Sequence, residues 1–115
     1  RVLSEKTSQT LRGLLYQVVA EGTGKNGQVE GFAVGGKTAT SQMLPRGSGK
    51  YIASFIGFAP ADDPQVLAIV IIHEPQGIYY GGTIAAPVCS ELFENILPYL
   101  GVEQIEKNMD GAVAQ

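Results

Sequence analysis

The stretch GFAVGGKTATSQ, residues 31–42, decides how the whole chain is read. Gly31, Gly36, Lys37 and Thr38 satisfy the phosphate-loop spacing G-x-x-x-x-G-K-[ST]. The same residues also form a Lys-Thr-Gly type of strand motif in which Ala39 stands where the glycine would be. The two readings demand different folds. A phosphate loop needs a strand before Gly31 and a helix starting near Lys37, so that backbone N–H groups and the positive helix end face the anion. Upstream lie a helical pattern and the polar loop EGTGKNGQVE; downstream, TATSQMLPRGSG places β-branched residues, a proline and two glycines where a helix should run. Phe32 and Val34 occupy the backbone that would wrap a phosphate, and in AIVIIHE His73 takes the place of a Walker B aspartate. The stretch therefore reads as a strand, from about Phe32 to Ser41.

A second glycine pattern fails for a related reason. Gly22, Gly24 and Gly27 fit G-x-G-x-x-G, yet a helix precedes them and none follows, the reverse of a dinucleotide site. They read as a turn leaving a helix.

Working outward, Leu11, Leu14, Leu15, Val18 and Val19 recur at helical spacing, with Ser4 and Glu5 as start signals and Gly22 as the stop. After the 31–42 stretch, MLPRGSGK breaks the strand at Pro45, Gly47 and Gly49. The runs YIASFIGFA and QVLAIVIIHE, joined by PADDPQ, read as an antiparallel hairpin. Both runs are apolar on both faces, so cover is expected on two sides, and the hairpin is expected to expose apolar surface wherever that cover comes from chain outside these residues. Val88, Cys89, Leu92, Phe93, Ile96, Leu97 and Leu100 repeat at helical spacing, and Pro98 should end or kink that helix near Leu97. The expected fold is α+β: a three-stranded antiparallel sheet flanked by an N-terminal and a C-terminal helix.

Composition bounds the function. The 115 residues are 44% hydrophobic and 17% charged, ordinary for a chain that builds a core. A net charge of −3 lacks the basic footprint of nucleic-acid binding. Cys89, the single cysteine, excludes an internal disulfide and a cysteine-based zinc cluster. The longest apolar run, Val66 to Ile72, is too short to cross a bilayer. The chain starts at Arg1 without an initiator methionine, so a preceding segment is expected.

The order EGTGK, GGKTATSQ, SFIGFAPADDPQ and HEPQGIYYGGTIAAPV resembles the C-terminal part of penicillin-binding protein transpeptidase domains, above all the class B enzymes of division and sporulation. The likeness runs from about Ser4 to Val102. It implies a domain portion over residues 1–102 followed by a tail over 103–115, within a penicillin-binding and serine β-lactamase-like fold. In that family a serine attacks the D-alanyl-D-alanine bond of a peptidoglycan stem peptide, and the acyl group passes to an amine of a neighbouring stem. β-Lactam antibiotics mimic the donor. Carried over, the resemblance makes Lys37 the cation beside the nucleophile and Thr38 and Thr40 the hydroxyls that hold the ligand carboxylate. It makes the Thr40 N–H an oxyanion-hole donor, with Gly36 and Ala39 lining the substrate site. No metal or organic cofactor is implied. The implied partners are the stem peptide, β-lactams and the remainder of the domain. The implied location is the outer face of the bacterial cytoplasmic membrane, through an anchor absent from this chain.

The residue types suit that chemistry. A C-terminal D-alanine is an anion, and a fixed cation with short hydroxyls nearby can hold it. Strand alternation sets Lys37 on the face opposite Thr38 and Thr40, so all three serve one site only on a twisted edge strand. Two departures stand out. Ala39 adds a Cβ at the glycine position, which costs about 1–3 kcal/mol at a tightly packed site and very little where the neighbours have made room. More seriously, none of Ser4, Ser8, Ser41, Ser48, Ser54 or Ser90 has lysine three residues later or asparagine two residues later. The S-x-x-K nucleophile is expected before Arg1, and the 115 residues alone are expected to form no acyl-enzyme.

Other residues have plainer readings. His73 is a strand-end histidine, Asp62 and Asp63 are turn formers between Pro60 and Pro64, and Cys89 is a buried thiol on the last helix. Tyr79, Tyr80, Gly81 and Gly82 form a loop before a helix, anchoring it or shaping the cleft. The alternatives to a transpeptidase section are a non-catalytic relative that binds cell-wall peptide or a partner, which Ala39 keeps open, and a phosphate-binding module, excluded if no helix follows Lys37.

Overall fold

The computed structural model describes residues 1–105. Helix α1 spans Glu5–Glu21 and begins where the sequence signals it: Ser4 is the N-cap, its hydroxyl accepting the Thr7 N–H at 3.1 Å. The helix stops at Gly22, whose N–H bonds the Val18 carbonyl, and a short 3-10 turn follows at Lys25–Gly27. Three strands then form one antiparallel sheet in the order β1 (Gly35–Gln42), β2 (Tyr51–Ala59) and β3 (Val66–His73). A four-residue helix α2 (Gly81–Ile84) leads into α3 (Ala86–Tyr99).

Strand β1 starts three residues later than the sequence pattern predicts. Gly31 has a φ of 85°, and the Phe32 N–H bonds the Val29 carbonyl, closing a tight turn before the ladder begins. The Ala33 carbonyl is taken by the Ala61 N–H, outside the sheet. Helix α3 runs two residues beyond the predicted end: Pro98 lies inside it, and the Leu100 and Gly101 N–H groups close on the Ile96 and Pro98 carbonyls. The stop is set by Gly101, whose φ of 76° turns the chain so that the Val102 N–H bonds back to the Leu97 carbonyl.

Register explains the core. Ala53, Phe55, Gly57 and Ala59 of β2 face inward, and Cys89, Phe93 and Leu97 of α3 recur every four residues to meet them. Phe55, Ala59, Cys89, Phe93 and Leu97 form one buried cluster with Val19, Val29, Val34, Ala85 and Ala86. From β3 the alternate residues Val66, Ala68, Val70 and Ile72 pack on it. The opposite sheet face is different: Leu67, Ile69, Ile71 and Ile56 are 68, 58, 50 and 41% exposed. Cover is therefore one-sided among the described residues, and the exposed apolar surface expected of the hairpin is this face. The hairpin closes where Gln65 N–H bonds the Ala59 carbonyl, with Asp62 and Asp63 exposed in the turn. His73 ends β3, exposed and separated from β1 by β2.

The expected tail from Glu103 begins with residues tied to the fold, since the Ile105 N–H donates to the Gly31 carbonyl at 2.7 Å. The rest of that tail, 106–115, lies outside the described residues.

Candidate active site

Lys37 lies within a strand that continues to Gln42, and no helix starts near it. A phosphate loop is thereby excluded, because neither the helix dipole nor the curled backbone is present. The glycine pair before Lys37 has a different use. A Cβ at Gly36 would lie 2.6 Å from both the Ile56 carbonyl oxygen and the tip of the Phe55 ring, and a Cβ at Gly35 would run into the Phe58 ring. Two aromatic rings, one on each face, thus seat directly on the backbone and fix the level at which Lys37 emerges.

β1 is an edge strand. Thr38 and Thr40 pair with Phe55 and Ala53 on the inner face, while Lys37 and Ala39 pair with Ile56 and Ser54 on the outer one. The lysine stem nonetheless brings its head group to Thr38. Its Nζ folds over the edge and donates to the Thr38 carbonyl at 3.0 Å and to the Thr38 hydroxyl at 3.3 Å. Residues two apart on an antiparallel strand send their backbone groups to the same side. With the Thr38 carbonyl reached from the unpaired edge, the Thr40 N–H faces that open edge as well. An ammonium, two hydroxyl groups and a rigid N–H therefore converge along one strand border. Such a set has the donors and the positive charge that a carboxylate or a developing oxyanion requires.

The start of α2 holds this border from the inner side. The Gly81 N–H donates to the Thr40 hydroxyl oxygen at 3.0 Å, which leaves the Thr40 proton free to be donated. Gly81 can approach so closely because it lacks a side chain; a Cβ would strike the Ser54 and Ala39 backbones. Just before it, Tyr79 stacks on Tyr51 with centroids 3.8 Å apart and planes 6° from parallel, and Tyr80 leans on Tyr79 at 4.6 Å. Hydrogen bonding with the Tyr80 hydroxyl first, and with Tyr51 second, pushes the Tyr79 phenol up to about 12. The loop read from sequence as anchoring or cleft-shaping is thus anchored on the first residue of β2.

Ala39 carries its methyl on the exposed outer side. Of the two outcomes left open for the added Cβ, the roomy one holds among the described residues: the methyl meets the open side next to Lys37. Four of the six serines make side-chain hydrogen bonds away from this border. Ser4 caps α1, Ser8 accepts from Arg12, Ser48 bonds the Met43 carbonyl in the β1–β2 turn, and Ser90 is buried on the Gln28 carbonyl at 2.6 Å. Ser41 and Ser54 lie on β1 and β2. Cys89 is buried, and burial pushes its thiol up to about 11, so it is inert at neutral pH. Sequence reading missed Thr23, Asn26 and Tyr51 as partners of the border and placed Gly81 only in a loop that anchors the helix or shapes the cleft. The only signal was the crowding of glycines around them.

Residues 1–94 match the family described as penicillin binding protein transpeptidase domain. The chain is 50% identical over 115 residues to stage V sporulation protein D of Bacillus subtilis, covering 93% of this chain and 18% of that protein. It is 44% identical to a protein of Neisseria flavescens named "Probable peptidoglycan D,D-transpeptidase PenA", covering 89% of this chain and 27% of that one. Among solved structures, the apo transpeptidase domain of Burkholderia pseudomallei penicillin-binding protein 3 superposes with a TM-score of 0.80 at 38% identity, covering 90% of this chain and 33% of that one. The chain thus spans roughly a fifth to a quarter of the length of these curated relatives.

Proposed function

The chain belongs to the penicillin-binding protein transpeptidase domain family, and on that premise we propose that it supplies the anion-binding wall of a peptidoglycan D,D-transpeptidase. The observation that carries this reading is the convergence of Lys37 Nζ on Thr38 at the open edge of β1, with the Thr40 N–H on the same edge. The substrate is a stem peptide ending in D-alanyl-D-alanine. Its terminal carboxylate sits against the Lys37 ammonium and the Thr38 and Thr40 hydroxyls. Gly36 sets the depth of the strand, and the Ala39 methyl borders the ligand.

The nucleophile is a serine of the remaining domain. Its oxygen bonds to the penultimate D-alanine carbonyl carbon, the peptide C–N bond breaks, and the serine proton leaves with the terminal D-alanine as its amine. An amine of a second stem then takes the acyl group and returns the serine. The Thr40 N–H stabilises the oxyanion in both steps, a contribution on the order of 3 kcal/mol to each barrier. A β-lactam enters by the same route and stays attached.

The domain portion over residues 1–102 packs against the remainder through the open face of the hairpin. Among the described residues no helix is long and apolar enough to cross a membrane. A site at the outer face of the cytoplasmic membrane then rests on an anchor elsewhere in the protein.

Intact-mass spectrometry with a penicillin tests this. Covalent addition is expected to the complete domain, at least tenfold slower after Lys37→Ala, and absent from the 115 residues alone. No addition to the complete domain would sink the catalytic reading and favour a peptide-binding relative.

A further inference from the structure

Thr23 stands in the glycine-rich loop that leaves α1, and its hydroxyl lies 3.4 Å from that of Thr38. The Lys37 ammonium has only protons to give. Thr38 Oγ1 therefore accepts from it, at 3.3 Å, and keeps its own proton for another partner. Two acceptors can take that proton at this border: Thr23 Oγ1, or an anion on the open edge.

The position of Thr23 is fixed from a third segment. A Cβ at Gly82 would lie 2.8 Å from the Thr23 carbonyl oxygen and 3.3 Å from the Thr38 methyl, so these three residues pack with no room between them. The Asn26 side-chain amide donates to the Gly82 carbonyl at 2.8 Å and closes the loop onto α2. The loop after α1, the edge strand and α2 thus meet at a single hydroxyl pair.

We infer that Thr23 is a positioning residue for Thr38. Its oxygen holds the Thr38 proton in the free domain. When a ligand carboxylate takes that proton, the Thr23 hydroxyl rotates and donates into Thr38 Oγ1, keeping the Thr38 O–H aimed at the anion and strengthening it as a donor. Only hydrogen bonds change in this exchange. The inference rests on the transpeptidase reading above, since it assumes a carboxylate ligand at this border.

The test uses the complete transpeptidase domain that contains this chain, with stopped-flow acylation by a penicillin and by its neutral methyl ester. Thr23→Val is expected to weaken capture of the free acid roughly threefold to tenfold, the worth of one ordinary hydrogen bond, with the limiting acylation rate unchanged. Thr23→Ser should restore capture. The ester should be indifferent to Thr23→Val, and in a Thr38→Val background the substitution should have no further effect. Thr23→Ala replaces the valine variant if that one does not fold. Equal capture by wild type and Thr23→Val, or an equal loss with the ester or without the Thr38 hydroxyl, would overturn the inference while leaving the transpeptidase reading intact. A wild-type domain that is never acylated would overturn both.

Discussion

At Gly36 the strand motif meets its tightest constraint. The Phe55 ring and the Ile56 carbonyl occupy the space a side chain would need, so Gly36→Ala should lower the stability of the complete domain by about 1–3 kcal/mol, read as a fall in melting temperature. Three residues on, the opposite holds. Ala39 exposes its methyl on the Lys37 side of the strand. Ala39→Gly should leave folding within about 1 kcal/mol of wild type, the cost of added backbone freedom, and should acylate with penicillin at least as fast. A slower reaction would show that the methyl helps to place the ligand. The motif positions Lys37, Thr38 and Thr40 were singled out in the sequence through the resemblance to a known strand motif, and their place on one strand followed from local pattern. Their partners Thr23 and Gly81 were not, because they come from loops 15 and 41 residues away in the chain.

Elements carry the next level. The stripe Cys89, Phe93, Leu97 was readable from helical spacing, and it is the stripe that meets β2. Cys89 gives it a measurable pH signature. Burial raises the thiol from its ordinary value near 9.0 to about 11, so between those values the unfolded chain loses a proton that the folded chain keeps. The stabilisation is fully present below pH 9 and is lost as pH rises towards 11. Thermal melts from pH 8 to 11 should show this decline, and Cys89→Ala should make it shallower. An unchanged slope would mean that the thiol ionises freely in the fold. The boundaries of the elements were less legible than their existence. Strand β1 starts late because Ala33 pairs with Ala61, a long-range contact that local pattern does not contain.

For the whole molecule the open sheet face matters most. Ile56, Leu67, Ile69 and Ile71 form a connected apolar surface on the side away from α3. Surfaces of this kind mark interaction sites or association. The isolated 115 residues should therefore self-associate with rising concentration, as followed by sedimentation velocity, and Ile69→Lys with Ile71→Lys should shift the species towards monomer. A monomer at all concentrations would indicate that the face is covered within the chain itself.

Residue pattern was enough for the α+β class, the order of helix, three antiparallel strands and helix, and the rejection of a phosphate loop. Those follow from periodicity, turn chemistry and the absence of a helix signal after Lys37, all of which are local. Only the folded arrangement could reveal that the Lys37 stem crosses the strand edge to Thr38, that Thr40 is held by Gly81, and which face of the hairpin is open. Each of these depends on which segments lie side by side in space. Such neighbours are selected by packing of the whole core, and spacing along the chain carries no record of them.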